Sequence, residues 1–188
     1  MNAFLTQAGV YLVKVVFELY LFAVLLRLLF QLVRADFYNP VAQFVVALTN
    51  PVLRPLRRAI PGLFGVDLAS VLLLFALKGG EWFLIAWLRD VPTSLSAIAF
   101  AAVTELLELT LYVFIVAVFA RVLLSWVTPY GGHRSPVTGL LVSLTEPLMR
   151  PARRLIPPIG GVDLSPIAVI VVLQLAVMLV QSLSFRLP

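Results

Sequence analysis

The sequence predicts an all-α membrane protein: four transmembrane helices as two tandem hairpins of parallel orientation, each with short amphipathic interfacial helices in its cytoplasmic connector. Three observations carry this. Hydrophobic residues make up 62% of the 188 and charged residues 12%, with a mean hydropathy of +1.06, where a soluble domain runs near ~45–50% apolar and ~25% charged. Four segments, 10–33, 68–88, 102–127 and 162–183, are apolar over the roughly 20 residues that a hydrocarbon core demands. Finally, Pro51, Arg54, Pro55, Arg57, Arg58 and Pro61 return 96 positions later as Pro147, Arg150, Pro151, Arg153, Arg154 and Pro157, and such self-similarity decides architecture first.

The repeat extends on both sides of that block. Asn39-Pro40 answers Ser135-Pro136, Leu48-Thr49 answers Leu144-Thr145, and Gly65-Val66-Asp67-Leu68 answers Gly161-Val162-Asp163-Leu164. Two units follow, 1–92 and 93–188. Each contains an even number of spans, so the second unit starts on the same side as the first and the axis between them runs along the membrane normal.

The first apolar segment is too long for a signal-peptide core, has no basic region before it and no small-residue cleavage site after it, so it is expected to be retained. The loop after it holds Arg34, Arg54, Arg57 and Arg58; the loop after the third segment holds Arg134, Arg150, Arg153 and Arg154; the central linker has only Arg89, beside Asp90. Arginine excess marks cytoplasmic loops, which puts both connectors inside and both termini outside.

Within the first connector, residues 41–48 are too apolar for water and too short to span, so an interfacial or re-entrant helix is expected. Pro51 and Pro55 predict a break, then a fresh short helix with Pro55 in its first turn and Leu56-Arg57-Arg58-Ala59-Ile60 following. Its copy begins at Pro151. Asp67 and Asp163 stand where a side-chain oxygen can cap the next helix and suit its positive end, and Ser165-Pro166 fits the same entry.

The two Pro-x-x-Arg-Pro-x-Arg-Arg-x-x-Pro-x-x-x-Gly-x-Asp blocks, with Asp36-Phe37-Tyr38-Asn39-Pro40 and Arg134-Ser135-Pro136, resemble the YggT family of small bacterial integral membrane proteins, which includes YlmG-type proteins of other bacteria and of plastids. The resemblance covers nearly the whole chain. It implies a multi-pass protein of the bacterial inner membrane, and a link to osmotic stress tolerance, division or assembly of membrane complexes.

Two sets of residues are candidates for function. Arg54, Arg57, Arg58, Arg150, Arg153 and Arg154 either fix topology or form a site for anionic lipid headgroups or an acidic partner, each arginine near an anionic surface contributing about 1 kcal/mol. Repetition of the proline spacing favours a shaped surface, since topology needs no particular proline. Nucleic acid is not expected, because no stacking aromatics interleave with the arginines.

The second set is intramembrane. Lys14, Glu18, Arg27, Lys78, Glu81, Glu105, Glu108 and Arg121 all fall in apolar segments, where a charge costs at least ~2.5 kcal/mol at the centre. Arg27 and Arg121 align between units and lie within snorkelling reach of the cytoplasmic ends. Glu18, Glu81 and Lys78 lie roughly 22, 21 and 16 Å from those ends at 1.5 Å per residue, so an ion-paired cluster is expected there; local pairing within helices, Lys14 with Glu18 four residues on and Lys78 with Glu81 three residues on, is the alternative. Gln174 takes the place of Lys78 in the second unit; with Met178 and Gln181 it shares a helix face, which suggests a polar seam between the halves. Gly79 and Gly80 permit close helix approach or a kink. The cluster is either a packing device or an ion or proton path, for which potassium or sodium are the candidate ions; four spans are few for a monomeric channel, so a path implies a homo-oligomer or a membrane protein partner.

An enzyme is not expected. The chain has no cysteine, which excludes thiolate metal sites and a Cys nucleophile together. The single histidine, His133, sits in Gly131-Gly132-His133-Arg134 without partners at ligand spacing, and that Gly pair reads as a turn, not a phosphate loop. No cofactor and no metal are implied.

Overall fold

The computed structural model describes residues 3–63, 65–127, 135–156 and 163–184. They form six helices: α1 (Ala3–Leu32), α2 (Pro40–Ala59), α3 (Leu68–Arg89), α4 (Leu95–Val127), α5 (Pro136–Leu155) and α6 (Ser165–Leu183). No strand occurs among the described residues. Gly131, Gly132, His133, Arg134, Pro157, Gly161 and Val162 lie outside them.

Helix ends follow from local chemistry. The Asn39 carboxamide oxygen accepts the Val41 amide at 3.0 Å, and Pro40 opens α2 at a position whose N–H is not needed. Ahead of it, α1 closes on Arg34, which takes a left-handed φ of 52° so that the Ala35 amide reaches the Phe30 carbonyl at 2.9 Å. That closing position is normally glycine. α3 ends in the same way on Asp90, φ 55°.

Three helices, α3, α4 and α6, are long and apolar enough to cross a membrane. Their outward faces are apolar, with Phe83, Leu107, Val116, Val172 and Leu175 all exposed, as a hydrocarbon solvent permits and water does not. α1, at 30 residues, packs along α3; α4 packs along α6; α3 meets α4. One core joins the halves: Leu21, Val24, Leu25 and Leu28 of α1 meet Leu53, Leu73, Leu74, Leu106, Val113 and Leu144. A smaller cluster of Val118, Met149, Val169 and Leu173 seats α5 between α4 and α6.

The break expected at Pro51 and Pro55 does not occur. α2 runs unbroken through both, and α5 through Pro147 and Pro151. An interior proline removes one helical hydrogen bond and costs about 3 kcal/mol. Here each pair is four residues apart, so both rings lie on one exposed face where the protein does not enclose the freed carbonyls. The opposite face buries Ala42, Val45, Thr49 and Leu53 in α2, and Leu140, Leu144, Thr145 and Met149 in α5. Burial of a whole stripe holds each helix together against its prolines.

The glycine pair behaves more plainly than expected. α3 passes through Gly79 and Gly80 without interruption, and an added Cβ would lie 3.8 Å from Ile98 and 3.7 Å from Phe17, ordinary contact distances. No extreme approach depends on them.

Candidate functional site

The periodicity of α2 and α5 sorts the six block arginines. Arg54 and Arg58, one turn apart, point away from the bundle and with Ala47, Asn50, Pro51 and Pro55 bound a shallow hollow of about 460 Å³. Arg150 and Arg154 occupy the matching exposed positions. Arg57 and Arg153, both still partly exposed, turn instead toward the residues that lead into the next helix. Arg57 donates through Nε to Asp67 at 3.0 Å and through Nη2 to the same oxygen, and Arg153 donates to Asp163 at 2.9 Å.

Asp67 therefore differs from its expected role. It makes no capping bond to α3; its carboxylate takes Arg57 and the Ser70 hydroxyl. Burial would push Asp67 up, but the Arg57 and Ser70 hydrogen bonds prevail and hold its carboxyl below the ordinary value. Asp163 does accept the Ser165 amide, at 2.9 Å. Against a raising effect of burial, the Ser165 and Arg153 bonds hold it down too.

The aligned arginines of α1 and α4 tie each long helix to its connector. Arg27 is buried and donates to the Thr49 hydroxyl at 2.7 Å and the Val46 carbonyl at 3.3 Å; Arg121 donates to Thr145 at 2.8 Å. These arginines end on protein acceptors instead of snorkelling. The threonines are fully buried and each also donates to its own helix, at Val45 and Leu141.

The halves then diverge. In the second, Glu146 accepts Arg121 at 3.0 Å and Arg150 at 3.3 Å and lies 3.8 Å from Arg153. Burial would raise Glu146, but Arg121 first, then Arg150 and Arg153, hold its carboxyl low. The matching residue in α2 is Asn50, which is neutral. Arg27, Arg34 and Arg57 instead border a cleft of about 580 Å³, together with Gln31, Phe30, Phe37, Ile60 and Asp67.

Deeper in the bundle, Lys78 donates to Glu81 at 2.8 Å and pairs with Glu105 of α4 at 2.7 Å. Lys78 and Glu81 are almost wholly buried. The expected cluster thus forms from Lys78 and Glu81, and its third member is Glu105. Glu18 and Lys14 lie on the exposed side of α1, and Gln174 and Met178 on that of α6; among the described residues no hydrogen bond or ion pair ties them to the cluster, although Glu18 lies near enough to Glu81 for the two charges to interact. Gln181 bonds Glu108 and, at 3.4 Å, Tyr112, inside the second half. Inside the bundle the halves are linked by the ion pair from α3 to α4, while Gln181 on α6 bonds within the second half.

A family model described as CCB3/YggT matches residues 6–88 and 100–184. The chain belongs to the CCB3/YggT family. The uncharacterized Pseudomonas aeruginosa protein PA0392 is 43% identical over 178 residues, covering 94% of this chain and 89% of that one. An uncharacterized Vibrio alginolyticus protein in the proC 3′ region is 40% identical, covering 88% of this chain and 89% of its own length. The uncharacterized YggT of Escherichia coli K12 is 37% identical, covering 87% and 84%. No solved structure matches.

Three residues of this YggT-family chain escaped the sequence reading. Glu105 was visible as an intramembrane acid but not as the partner of Lys78. Glu146 could have been found by aligning the two connector blocks, since it sets an acid against Asn50 in otherwise matched surroundings. Arg34 carries no local signal, because a left-handed arginine at a helix end cannot be told from any other loop residue.

Proposed function

We propose that this chain is a non-enzymatic integral membrane protein of the bacterial inner membrane, with α1, α3, α4 and α6 spanning, both termini outside, and α2 and α5 lying at the cytoplasmic headgroups. Its role is to support membrane or osmotic stress homeostasis, or assembly of membrane complexes, through contacts with anionic lipid and protein. One observation carries this reading: α2 and α5 each bury an apolar stripe in the bundle while turning Arg54 and Arg58, or Arg150 and Arg154, outward. An amphipathic helix held so presents cations where anionic headgroups lie.

The test is rescue of a deletion strain after osmotic upshift. Arg58→Glu with Arg154→Glu should abolish rescue at normal protein levels, while Glu18→Gln should leave it intact. The opposite ranking would sink the scaffold reading.

A second reading, participation in potassium or sodium flux, draws on the buried Lys78 held between Glu81 and Glu105, since buried intramembrane charge often marks an ion path. Its test is flux into proteoliposomes by the wild type and by Lys78→Leu. Flux that the variant alters supports the path; flux no greater than that of empty vesicles ends it.

A further inference from the structure

The geometry points to a binding site for one anionic phospholipid in the first half, its phosphate in the cleft between Arg27, Arg34 and Arg57 and an acyl chain in the apolar groove beside it. This deepens the proposed function, because it rests on that end of the bundle lying at headgroup level.

Charge comes first. The cleft wall carries three guanidinium groups and a single carboxylate, Asp67. Arg57 is engaged with that carboxylate, and Arg27 uses Nη1 for Thr49 and Val46. Among the described residues, no protein acceptor takes Nε or Nη2 of Arg27, or any side-chain nitrogen of Arg34. Gln31 adds a carboxamide to the same wall. A phosphodiester offers the acceptors that such donors lack, and arginine meets it in bidentate geometry.

The second half shows what protein does when it satisfies this charge itself. Glu146 sits among Arg121, Arg150 and Arg153. Asn50 withholds that carboxylate from the first half, and the positions aligned with Arg34 are occupied by Thr128 or Tyr130 according to register. Among the described residues, the first half sets three arginines and one carboxylate around a cleft.

Arg34 closes α1. Its left-handed backbone is one that glycine adopts freely and arginine at a cost. Asp90 closes α3 with the same left-handed backbone, so what sets Arg34 apart is its place in the wall of the cleft.

The occupant is a lipid because of what adjoins the cleft. Phe30 lines both the cleft and a second, almost wholly apolar groove of about 310 Å³ between α1, α4 and α5. Phe22, Leu26, Val113 and Leu140 form its walls, and α2 borders both spaces through Ala42 and Val41. A phosphate group with a hydrocarbon tail fits the pair; free phosphate would leave the groove unfilled.

Native mass spectrometry of the full chain in neutral detergent tests this, with dioleoyl phosphatidylglycerol and dioleoyl phosphatidylcholine as probes. The wild type should retain one phosphatidylglycerol about tenfold more tightly than phosphatidylcholine. Arg34→Gly and Asn50→Glu should each lower phosphatidylglycerol affinity at least threefold, and Arg34→Gly should do so while unfolding no earlier than the wild type in lipid-free detergent, since glycine relieves the backbone. Ala120→Phe, which intrudes on the groove, should weaken dioleoyl but not dihexanoyl phosphatidylglycerol.

Unchanged affinity in both Arg34→Gly and Asn50→Glu would overturn the site. Displacement by millimolar glycerol 3-phosphate would reassign the cleft to a soluble phosphate ester, and a lipid-free dimer as the main species would assign the groove to a second copy. Arg58→Glu with Arg154→Glu separates the two levels of argument. If these reduce total phosphatidylglycerol uptake while Arg34→Gly does not, only the cleft fails; if none of them matters, the headgroup-level reading fails with it.

Discussion

At its connector end the first half carries Arg27, Arg54 and Arg57 and the second Arg121, Arg150 and Arg153, in matching places on matching helices, yet the two ends are neutralised differently. In the second, Glu146 gathers all three arginines and Asp163 is more than a third exposed; in the first, an amide replaces the glutamate and Asp67, with 6% of its side chain exposed, holds Arg57 and the Ser70 hydroxyl. Similar charge on similar scaffolding therefore says little about how tightly it is held. What matters is whether the counter-ion is buried, shared or missing.

The largest effect should come from Asp67→Asn set against Asp163→Asn. The buried Asp67 anchors Arg57 and Ser70, and its loss should cost about 2–3 kcal/mol of stability, whereas an exposed pair such as Arg153–Asp163 should cost less than about 1 kcal/mol. Thermal unfolding in detergent checks both, and equal losses would erase the comparison.

Acidification should reveal the same difference. Asp67 is held below its ordinary value when folded, so its contribution is fully present above the unfolded value of about 4 and is lost as pH falls through the lower, folded value. In Asp67→Asn that part of the acid sensitivity should vanish; Asp163 is held low as well, so Asp163→Asn should lose acid sensitivity in the same direction but by less, because its ion pair is more exposed. Unfolding followed from about pH 6 downward through the unfolded value of about 4 reads the difference.

A swap sharpens the comparison further. Asn50→Glu gives the first half the second half's acid and should stabilise it by up to about 1 kcal/mol; Glu146→Asn should destabilise the second half by a similar amount. Opposite signs are the expected result, and a shared sign would mean that position 50 does not do what position 146 does. Smallest of all, Gly79→Ala should stabilise α3 by about 0.5–1 kcal/mol, because the helix has room for the methyl group. A loss of stability there would show that the glycines matter for packing after all.

Much of this architecture was open to reading from residues alone. Apolar length located α3, α4 and α6, and the Pro-Arg blocks located both connectors, because hydropathy and proline act locally. The continuity of α2 was hidden for the opposite reason: Pro51 and Pro55 oppose the helix locally, and only burial of its stripe, Ala42, Val45, Thr49 and Leu53, against the rest of the bundle outweighs them. Lys78 and Glu81 were legible as a cluster, since they lie on one helix three residues apart. Glu105 was not, because choosing it over Glu18 requires knowing which side of α1 faces outward. The turn of Arg57 toward Asp67 and the outward turn of Arg58 likewise depend on the rotation of α2 about its axis.

Asn39 spends its carboxamide twice: the oxygen caps α2, while Nδ2 donates to the Pro136 carbonyl at the start of α5, 2.7 Å away. The matching residue, Ser135, makes no such cap. Two identical hairpins facing one another about an axis would form this bond in both directions. Fused in one chain, the contact runs one way, from Asn39 to the start of α5, so the likeness of the two connectors is broken at this bond.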